Sequence, residues 1–427
     1  MCKNKIITVS IIGVGARGGE AYGRYINKSV DKFNIVSLCD VNQERLDKYG
    51  KIFNVEESER FLDEEIFFQK KRSDVLLIST LDQMHVRMAK RALLLGYDLL
   101  LEKPISIDNQ ELCELVDLVK TTGRKVMVCH VLRYTTAIRK VKELLDSGVI
   151  GKLVTIDHTE NVGFWHAAHS YVRGNWRKSE ETSPMIMAKC CHDFDLLQYF
   201  VGAKCKNLSS MGSLSFFKKE NQPQDASNRC TDCKHIEDCV YSAKKIYIDM
   251  WKTQEKCSEN IWPMNVITDI VPLTEENLYQ AIKDGPYGQC VFCCDNNVVD
   301  NQTVIMEFEN GITATMKMEA FVKDGGRTIR FLGSQGEVVL KEDENKIVLK
   351  RFYGENEEWL LSDLTADLSG HGGGDRGMID SLYKVLSDDD GAIDTSIENS
   401  VESHLMAIAA ELSRVNDGER IEIAKLR

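Results

Sequence analysis

A short apolar segment that runs directly into closely spaced glycines is the feature that most constrains the fold of this chain. Gly13, Gly15 and Gly18 have the G-x-G-x-x-G spacing and follow an apolar, β-branched run, at a predicted strand-to-helix junction. In such a unit the first glycine makes a tight turn, the second lets a pyrophosphate approach the backbone, and the third lets the helix pack closely on the strand. Amides at the helix start, here those of Ala16 and Arg17, then face the phosphates. The segment therefore predicts a dinucleotide-binding unit.

A second predicted strand supports this interpretation. The run NIVSLCD follows the first helix and ends in Asp40, at the distance from the glycines where an acidic side chain accepts hydrogen bonds from ribose hydroxyls. A carboxylate at this position disfavours a 2′-phosphate, because two negative charges would be brought together. The pattern therefore favours NAD(H) over NADP(H) as the cofactor.

Strands and helices continue to alternate up to about residue 130. SDVLLIST, YDLLLEKP and KVMVCH are predicted strands, and the segments between them have the apolar spacing of helices. This alternation is typical of an α/β Rossmann arrangement, a doubly wound parallel sheet. In such sheets ligands bind at the carboxyl ends of the strands, and Thr80, Glu102, Lys103 and His130 lie at those ends.

The pattern changes in the second part of the chain. Beyond residue 300, TVIMEFENGITATMKMEAF, RTIRFLGSQGEVVLK and NKIVLKRFY alternate apolar and polar residues with period two, and Asn310-Gly311 is a hairpin signal. These runs predict a mostly antiparallel sheet of α+β type. We therefore expect a domain boundary near residue 130, which divides the chain into 1–130 and 131–427, with a C-terminal helix that packs back on the first domain.

Length and charge narrow the classes of function. A chain of 427 residues is too long for one ordinary core. Its formal net charge of −12 argues against nucleic acids and anionic membranes as partners, because they would be repelled. No run of about 18 apolar residues is present, so no membrane-spanning helix is predicted. The basic and then apolar N-terminus lacks a small-residue cleavage pattern, and we expect a cytoplasmic protein.

Several motifs taken together resemble those of one family. The glycine motif, the acidic end of the second strand, Thr80 followed five residues later by His85, Glu102-Lys103-Pro104, and the later SPMIMAKCCHDFDLL are similar to the motifs of the Gfo/Idh/MocA oxidoreductases. The resemblance covers essentially the whole chain. It implies an N-terminal Rossmann domain, a second domain with a large open sheet that binds the substrate, and a homodimer or homotetramer formed through one face of that sheet.

The resemblance also implies roles for individual residues. The lysine of the EKP motif, Lys103, would lie beside the nicotinamide and the substrate hydroxyl, and the histidine of the later helix, His192, would act as general acid or base. These two are the candidate catalytic residues. The candidate cofactor-binding residues are Gly13, Gly15, Ala16, Arg17, Gly18, Asp40, Ser79, Thr80, His85, Glu102, Lys103 and Arg133.

One position departs from the family pattern. Many members carry an aspartate four residues before the catalytic histidine, and here that position is Ala188. Lys189 is the nearest ionisable replacement, three residues before His192. The usual aspartate-assisted proton relay is therefore expected to be absent, so that the pKa of His192 is set in another way.

A segment with several aromatic, histidine and arginine side chains is the candidate substrate surface. In ENVGFWHAAHSYVRGNWR the tryptophans can stack on a sugar ring, and the histidines and arginines can contact hydroxyls or a carboxylate. A structured surface loop is an equally good interpretation. The glycine-rich segment around residues 371–375 is a candidate loop that closes over the substrate, or a plain helix start. The candidate substrate-binding residues are Trp165, His166, His169, Arg173, Trp176, Arg177, Lys189, His371 and Asp375.

A cysteine cluster in the second domain raises the question of a metal. Cys230, Cys233 and Cys239 form a C-x2-C-x5-C run, and Cys290 is a candidate fourth ligand. Thiolates at this spacing can hold a structural zinc ion. A C-x2-C run without a matched second pair is equally compatible with free thiols in a loop. Structural zinc is therefore one of two hypotheses for this cluster.

Three functions are compatible with these patterns. The first is an NAD-dependent oxidoreductase that interconverts a hydroxyl and a ketone on a sugar, sugar acid or cyclitol. The second is a redox-neutral lyase, epimerase or glycosidase that holds NAD tightly and works through a transient keto-sugar. The third is a non-enzymatic NAD(H)-binding sensor, against which the presence of both Lys103 and His192 argues. The expected partner is a small carbohydrate-like molecule.

Overall fold

Two β-sheets organise the part of the chain that the computed structural model describes, residues 5–253, 262–365, 369–387 and 393–427. The strands of the first sheet are β1 Ile7–Ile12, β2 Phe33–Cys39, β3 Arg60–Phe61, β4 Val75–Ile78, β5 Asp98–Leu101 and β6 Val126–Val128. They lie in the order β3-β2-β1-β4-β5-β6, and each neighbouring pair is parallel. The predicted Rossmann arrangement is confirmed.

Both faces of this first sheet are buried. Val75 and Leu77 of β4 belong to one apolar core, whereas Leu76 and Ile78 belong to another, because successive side chains of a strand point to opposite faces. This explains why the strands read as continuous apolar runs. The helices of eight or more residues in the described ranges are Ala16–Gly23, Gln43–Ile52, His85–Leu94, Asn109–Thr122, Thr136–Asp146, Cys191–Val201, Glu275–Asp284, Gly374–Ser387 and Ile397–Val415.

The strand order of the first sheet creates a crevice at one edge. The chain moves outward in one direction from β1 to β3 and in the other from β4 to β6, so the order reverses between β1 and β4. Ligands of open α/β sheets bind at such a reversal, outside the carboxyl ends of the strands. The glycine turn follows β1, and Thr80, Lys103 and His130 follow β4, β5 and β6 at this same edge.

The second sheet has nine strands and is mostly antiparallel. Its strands are β7 Leu153–Gly163, β8 Cys205–Ser213, β9 Asn301–Phe308, β10 Thr313–Val322, β11 Gly326–Gly333, β12 Gly336–Lys341, β13 Lys346–Arg351, β14 Glu357–Leu360 and β15 Ile421–Glu422. They lie in the order β14-β13-β12-β11-β7-β10-β9-β8-β15, and β7 and β10 are the parallel pair. The predicted hairpin joins β9 to β10, with Gly311 at φ +83°. The predicted mostly antiparallel sheet is confirmed.

The helix Ile397–Val415 connects the two sheets. On one side, the His404 ring accepts a hydrogen bond at Nε2 from the backbone N–H of Ile105, at 2.9 Å. On the other, Ser413 Oγ accepts from the N–H of Ser210 in β8, at 2.8 Å. The helix therefore fixes the loop that follows β5 relative to the second sheet.

Candidate active site

The glycine turn after β1 has the shape that a dinucleotide needs. Gly13 has φ +87°, and a Cβ added there would lie 2.5 Å from the carbonyl oxygen of Ser79. A Cβ on Gly18 would lie 2.1 Å from the carbonyl oxygen of Gly13, so close helix packing requires glycine at both positions. Gly15 differs, because its Cβ would meet only Arg45 Nη1, at 3.8 Å. The open space at Gly15 fits the approach of a pyrophosphate.

Asp40 is held at the end of β2 by the glycine turn itself. Its Oδ2 accepts from the backbone N–H of Val14 at 2.8 Å, and its Oδ1 accepts from the N–H of Asn42 at 2.9 Å. Each carboxylate oxygen keeps a further lone pair for a ribose hydroxyl. Asp40 and the glycines therefore fit the adenosine half of NAD(H).

Replacing Gly15 with alanine is expected to separate cofactor binding from folding. The added Cβ meets only the end of a flexible arginine, so the free energy of unfolding should change by less than about 1 kcal/mol. Because that Cβ stands where a pyrophosphate would approach, affinity for NADH should fall at least about tenfold. NADH fluorescence titration and thermal unfolding measure the two quantities. Gly18→Ala is the contrasting variant, since it should destabilise the fold; an unchanged NADH affinity in Gly15→Ala would contradict the prediction.

Arg17 and Glu102 join the glycine turn to the end of β5. Arg17 Nε donates to Glu102 Oε1 at 3.0 Å, and its Nη2 donates to Asp375 Oδ1 at 2.7 Å. Tyr22 OH donates to Glu102 Oε1 at 2.5 Å and accepts from Arg17. The other oxygen of Glu102 accepts from the backbone N–H of Lys103 at 2.8 Å. The buried Glu102 thus orients the backbone that carries the candidate catalytic lysine.

Lys103 and His192 are brought to the same place. Lys103 Nζ donates to the carbonyl oxygen of Ala188, at 3.2 Å, in the short helix Met185–Ala188 that precedes His192. Burial lowers the pKa of His192 well below its usual range, and the positive charge of Lys103 lowers it further. His192 is therefore neutral near pH 7, the state in which its ring can accept a proton.

Lys189, beside the missing aspartate, belongs to a buried ionic network. Its Nζ lies 2.9 Å from Glu160 Oε1, and the other oxygen of Glu160 lies 2.9 Å from Arg327 Nη2. Arg327 Nε also donates to Asp193 Oδ1 at 2.8 Å, and this oxygen lies 2.7 Å from Nε2 of His158. The Lys189 side chain is 22% exposed, whereas both carboxylates are fully buried behind it. The Lys189 side chain is therefore more exposed than the two carboxylates, Glu160 and Asp193, that it and Arg327 pair with.

Two further histidines lie behind His192. The His130 ring is 5.7 Å from the His192 ring and 5.7 Å from the His404 ring. Within the described ranges, neither nitrogen of His130 has a hydrogen-bond partner, and Nε2 lies 3.8 Å from Asp195 Oδ1. Burial lowers the pKa of His130 well below its usual range, ahead of the charges of Arg133 and Lys103. The sequence predicted that His130 lies at the carboxyl edge of the first sheet, but it indicated no role for this residue.

Part of the candidate substrate segment reaches the same site. Burial, followed by the charge of Lys189, lowers the pKa of His166 well below its usual range, and Lys103 contributes as well. The Trp262 ring lies 5.0 Å from both Trp165 and His166. Trp262 was missed by the sequence analysis, because its place in the chain is almost one hundred residues away and carries no motif.

Other members of that segment have structural partners. Arg173 Nε donates to the carbonyl oxygen of Gln289 at 2.7 Å, and Arg177 Nε donates to Asp295 Oδ1 at 2.7 Å. Both arginines line a pocket of about 450 Å³ whose lining includes neither Lys103 nor His192. The His169 ring contacts Tyr247 OH, and the Trp176 ring packs near Tyr171. These contacts give all four residues local partners, and the His169 ring also lies 5.4 Å from the Trp262 ring.

Three candidate cofactor residues also have local partners. His85 is buried between two carbonyl oxygens, that of Pro104 at 2.7 Å and that of Thr80 at 3.1 Å, so it joins the ends of β4 and β5. Ser79 Oγ donates to the carbonyl oxygen of Gly13 at 2.8 Å, beside the glycine turn. Arg133 donates to both oxygens of Asp195, at 2.7 and 2.6 Å, and is buried. These contacts give Arg133 and His85 a supporting place around the site.

The zinc hypothesis receives no support from the structure. Cys230, Cys233, Cys239 and Cys290 line one small apolar pocket. Within the residues that the structure describes, no group of three or more histidine, cysteine, aspartate or glutamate side chains is arranged to hold a metal ion. Burial raises the pKa of Cys290 to about 11 and also raises that of Cys239, so these side chains are thiols when no metal is bound. Structural zinc is therefore unsupported, and free thiols stay the other interpretation of this cluster.

The family follows from comparison of both halves of the chain with family models. Residues 7–130 match the NAD-binding Rossmann fold of an oxidoreductase family, and residues 142–417 match the C-terminal alpha/beta domain of the same family. The chain belongs to the Gfo/Idh/MocA oxidoreductase family. This confirms the resemblance seen in the motifs. Of the described helices, none is both long and apolar enough to cross a membrane.

Individual family members extend this comparison. The chain is 21% identical to the putative oxidoreductase YteT of Bacillus subtilis, over 85% of this chain and 86% of the relative. It is 25% identical to the inositol 2-dehydrogenase/D-chiro-inositol 3-dehydrogenase of Lactiplantibacillus plantarum, over 37% of this chain and 45% of that protein. An oxidoreductase of Agrobacterium radiobacter, solved in complex with NAD+, L-tartaric acid and magnesium, has a TM-score of 0.69 at 17% identity and covers 99% of this chain and 100% of its own. The last similarity shows the fold.

Proposed function

We propose that this protein is an NAD-dependent oxidoreductase that interconverts a hydroxyl and a ketone on a sugar, sugar acid or cyclitol. Residues 1–130 would bind the dinucleotide and residues 131–427 the carbohydrate. The observation that carries the proposal is the meeting of Lys103 with the segment that leads to His192, at the carboxyl edge of the first sheet and beside the glycine turn. A relative that acts on inositol is consistent with a cyclic polyol as substrate.

The side chains of the site have separate tasks in this reaction. Lys103 Nζ would donate to the oxygen of the reacting hydroxyl, and neutral His192 would take the hydroxyl proton. NAD, when bound, supplies the acceptor or donor of the hydride. Asp40 supports NAD(H) rather than NADP(H), since its carboxylate would repel a 2′-phosphate. The predicted homo-oligomer stays a prediction from the resemblance.

The accessible charges favour an acidic or hydroxyl-rich substrate. Glu102, Glu160 and Asp193 are buried, whereas the Lys189 side chain is 22% exposed. A carboxylate or hydroxyl of the substrate can therefore approach Lys189 without meeting an exposed acid. Among the three substrate classes, this arrangement favours a sugar acid. Trp165 and Trp262 would supply the aromatic wall for the ring.

The test is a screen of sugars, sugar acids and cyclitols for reduction of NAD+, followed by nicotinamide absorbance. We expect turnover of at least one compound, and a loss of about 100-fold or more in kcat for Lys103→Met, because the ammonium donor is removed while the alkyl stem is kept. Lys120→Met, on the exposed helix Asn109–Thr122, is the matched control and should keep full activity. Full turnover by Lys103→Met would refute the assigned role.

A second candidate is the redox-neutral lyase, epimerase or glycosidase that keeps NAD bound. The observation that favours it is the presence of additional bases, since His166 lies close enough to Lys189 and Lys103 for both charges to lower its pKa. A transient ketone acidifies the neighbouring C–H bond, and such a base would take that proton. The same screen, read by product analysis without net change in absorbance, separates this candidate from the first.

A further inference from the structure

The backbone around His371 adopts an unusual conformation. His371 has φ +53°, and the next two residues, Gly372 and Gly373, have φ +61° and +80°. A left-handed backbone costs a non-glycine residue roughly 1–2 kcal/mol. Residues held in this way cluster at functional sites, where the surrounding structure compensates the strain. Four other non-glycine residues in the described ranges also have positive φ, so a role for His371 has to rest on its contacts.

His371 is paired with a buried carboxylate. Its Nδ1 lies 3.3 Å from Oδ1 and 3.4 Å from Oδ2 of Asp375, one helical turn later. Asp375 is itself fixed by Arg17, whose Nη2 and Nη1 donate to its two oxygens at 2.7 and 3.3 Å. When Nδ1–H donates to Asp375, the lone pair of Nε2 is free to accept a proton. The His371 side chain is 41% exposed, so this ring can exchange protons with water.

The His371–Asp375 pair has the carboxylate partner that His192 lacks. In this chain Ala188 stands where many relatives have the aspartate partner, and within the described residues Nδ1 of His192 has no hydrogen-bond partner. His192 is also only 7% exposed, which limits its exchange with solvent. The ring centroids of His192 and His371 are 6.3 Å apart, with an angle of 53° between the ring planes. An aspartate–histidine pair thus lies across the site from the unpaired histidine.

We infer that His371, oriented by Asp375, is a second acid/base residue of this site and the route by which the substrate proton reaches solvent. This inference rests on the proposed oxidoreductase function. In oxidation, the C–H bond of the alcohol breaks and its electron pair leaves as hydride to NAD+. The O–H bond breaks as the carbonyl forms, and its proton passes to His192, through one bridging water to Nε2 of His371, and then to bulk water. Reduction follows the same route in reverse. Asp375 is a positioning residue.

The charges that face His371 come from several elements. Asp375 lies on the helix Gly374–Ser387, and Arg17 follows the glycine turn. Lys103 follows β5, and His192 lies on the helix Cys191–Val201. Burial lowers the pKa of His371, the contact with Asp375 raises it, and the charges of Arg17 and Lys103 lower it again. We therefore expect protonation below the usual histidine range, and expect the loss of the Asp375 charge to shift it further down.

The first test follows histidine ring signals by NMR in the full-length protein with NADH, labelled with 13C-histidine, between pH 8.0 and 5.0. His371→Asn assigns the His371 signal, and asparagine is chosen because it tolerates the left-handed backbone. The His371 signal should move progressively below pH 7, and it should move less in Asp375→Asn, while the His192 signal stays constant. A His371 signal that is the same at pH 8.0 and 5.0, or that titrates identically in Asp375→Asn, would overturn the inference.

The second test uses a compound that passes the substrate screen. His371→Asn should lower kcat about 100-fold with little change in KM, because proton transfer and not binding is lost. Asp417→Asn is the matched control, since Asp417 is an exposed residue at φ +53° far along the chain from the site. A rise in KM alone would reduce His371 to a binding residue and refute its acid/base role. If no compound is turned over, the proposed function fails, and the NMR titration still decides whether His371 is a proton acceptor paired with Asp375.

Discussion

The free energy of unfolding is expected to fall by at least about 5 kcal/mol between pH 7.5 and pH 5.5, because His166 and four more deeply buried histidines resist protonation in the folded protein. His130, His169, His192 and His404 are each at most 7% exposed. Burial is the largest cause that lowers the pKa of each ring, to about 3 for His169 and His404. The His404 ring, for example, would lose the hydrogen bond from Ile105 N–H if Nε2 were protonated.

The direction of this effect follows from which state binds the protons. In the unfolded chain a histidine has a pKa of about 6.5 and gains a proton as the pH falls, whereas the folded protein keeps these rings neutral. Stability is therefore complete above pH 6.5 and declines below it, by about 1.4 kcal/mol for each ring at pH 5.5. Burial raises the pKa of Glu160 and of Asp195, which take up protons in the folded state and offset a part of the loss at lower pH.

Urea unfolding at pH 7.5, 6.5 and 5.5 measures this decline. His130→Phe is the informative variant, because neither nitrogen of His130 has a partner in the described structure. It should keep its stability at pH 7.5, and its decline between pH 7.5 and pH 5.5 should be about 1.4 kcal/mol smaller than that of the unchanged protein. His235→Gln, at a partly exposed position, is the control and should keep the whole decline. A free energy of unfolding that is equal at pH 7.5 and 5.5 would contradict the prediction.

Replacing Arg327 with methionine is expected to lower the free energy of unfolding by about 3–5 kcal/mol, because it leaves buried carboxylates without their cation. Arg327 is 9% exposed and bonds both Asp193 and Glu160. Its guanidinium charge lowers the pKa of Asp193, against the effect of burial. In the variant this pKa should rise, and Lys189 would be the remaining cation beside Glu160.

Arg330→Met, three residues along the same strand, is the matched control for this effect. Arg330 is 50% exposed and pairs with Glu337 at the surface, where an ion pair contributes about 0–1 kcal/mol. Urea unfolding of both variants at pH 7.5 makes the comparison. Equal losses in Arg327→Met and Arg330→Met would show that the buried network does not stabilise the fold as described.

The first sheet and its glycine turn were predictable because their signals are local. A strand, a turn and a helix lie within about twenty residues, and the conformations of Gly13 and Gly18 follow from their immediate contacts. The alternation of apolar and polar residues in β9 to β13 was equally clear in the sequence. The convergence of Lys103 and the segment before His192 was anticipated from family resemblance, and their roles stay predictions.

The buried ionic network was not predicted, although the sequence carried a signal for it. Arg327 is in phase with Ile329 and Phe331, and Glu160 is in phase with Ile156, on the inward faces of their strands. A charged residue in phase with the apolar side of a strand indicates a buried ion pair. The partners lie 167 residues apart, and the β7–β11 register that brings them opposite each other exists only in the folded sheet.

The C-terminal helix has a consequence for the order in which the site is completed during synthesis. The Ile105 N–H, two residues after Lys103, donates to His404, and the Val128 N–H at the end of β6 donates to the carbonyl oxygen of Thr395. A ribosome makes these acceptors only after it has made the whole of the first sheet. The nascent chain can therefore contain the nucleotide-binding half before these two hydrogen bonds fix the backbone near Lys103 and at the end of β6. A product truncated before residue 393 would keep the glycine turn without these hydrogen bonds.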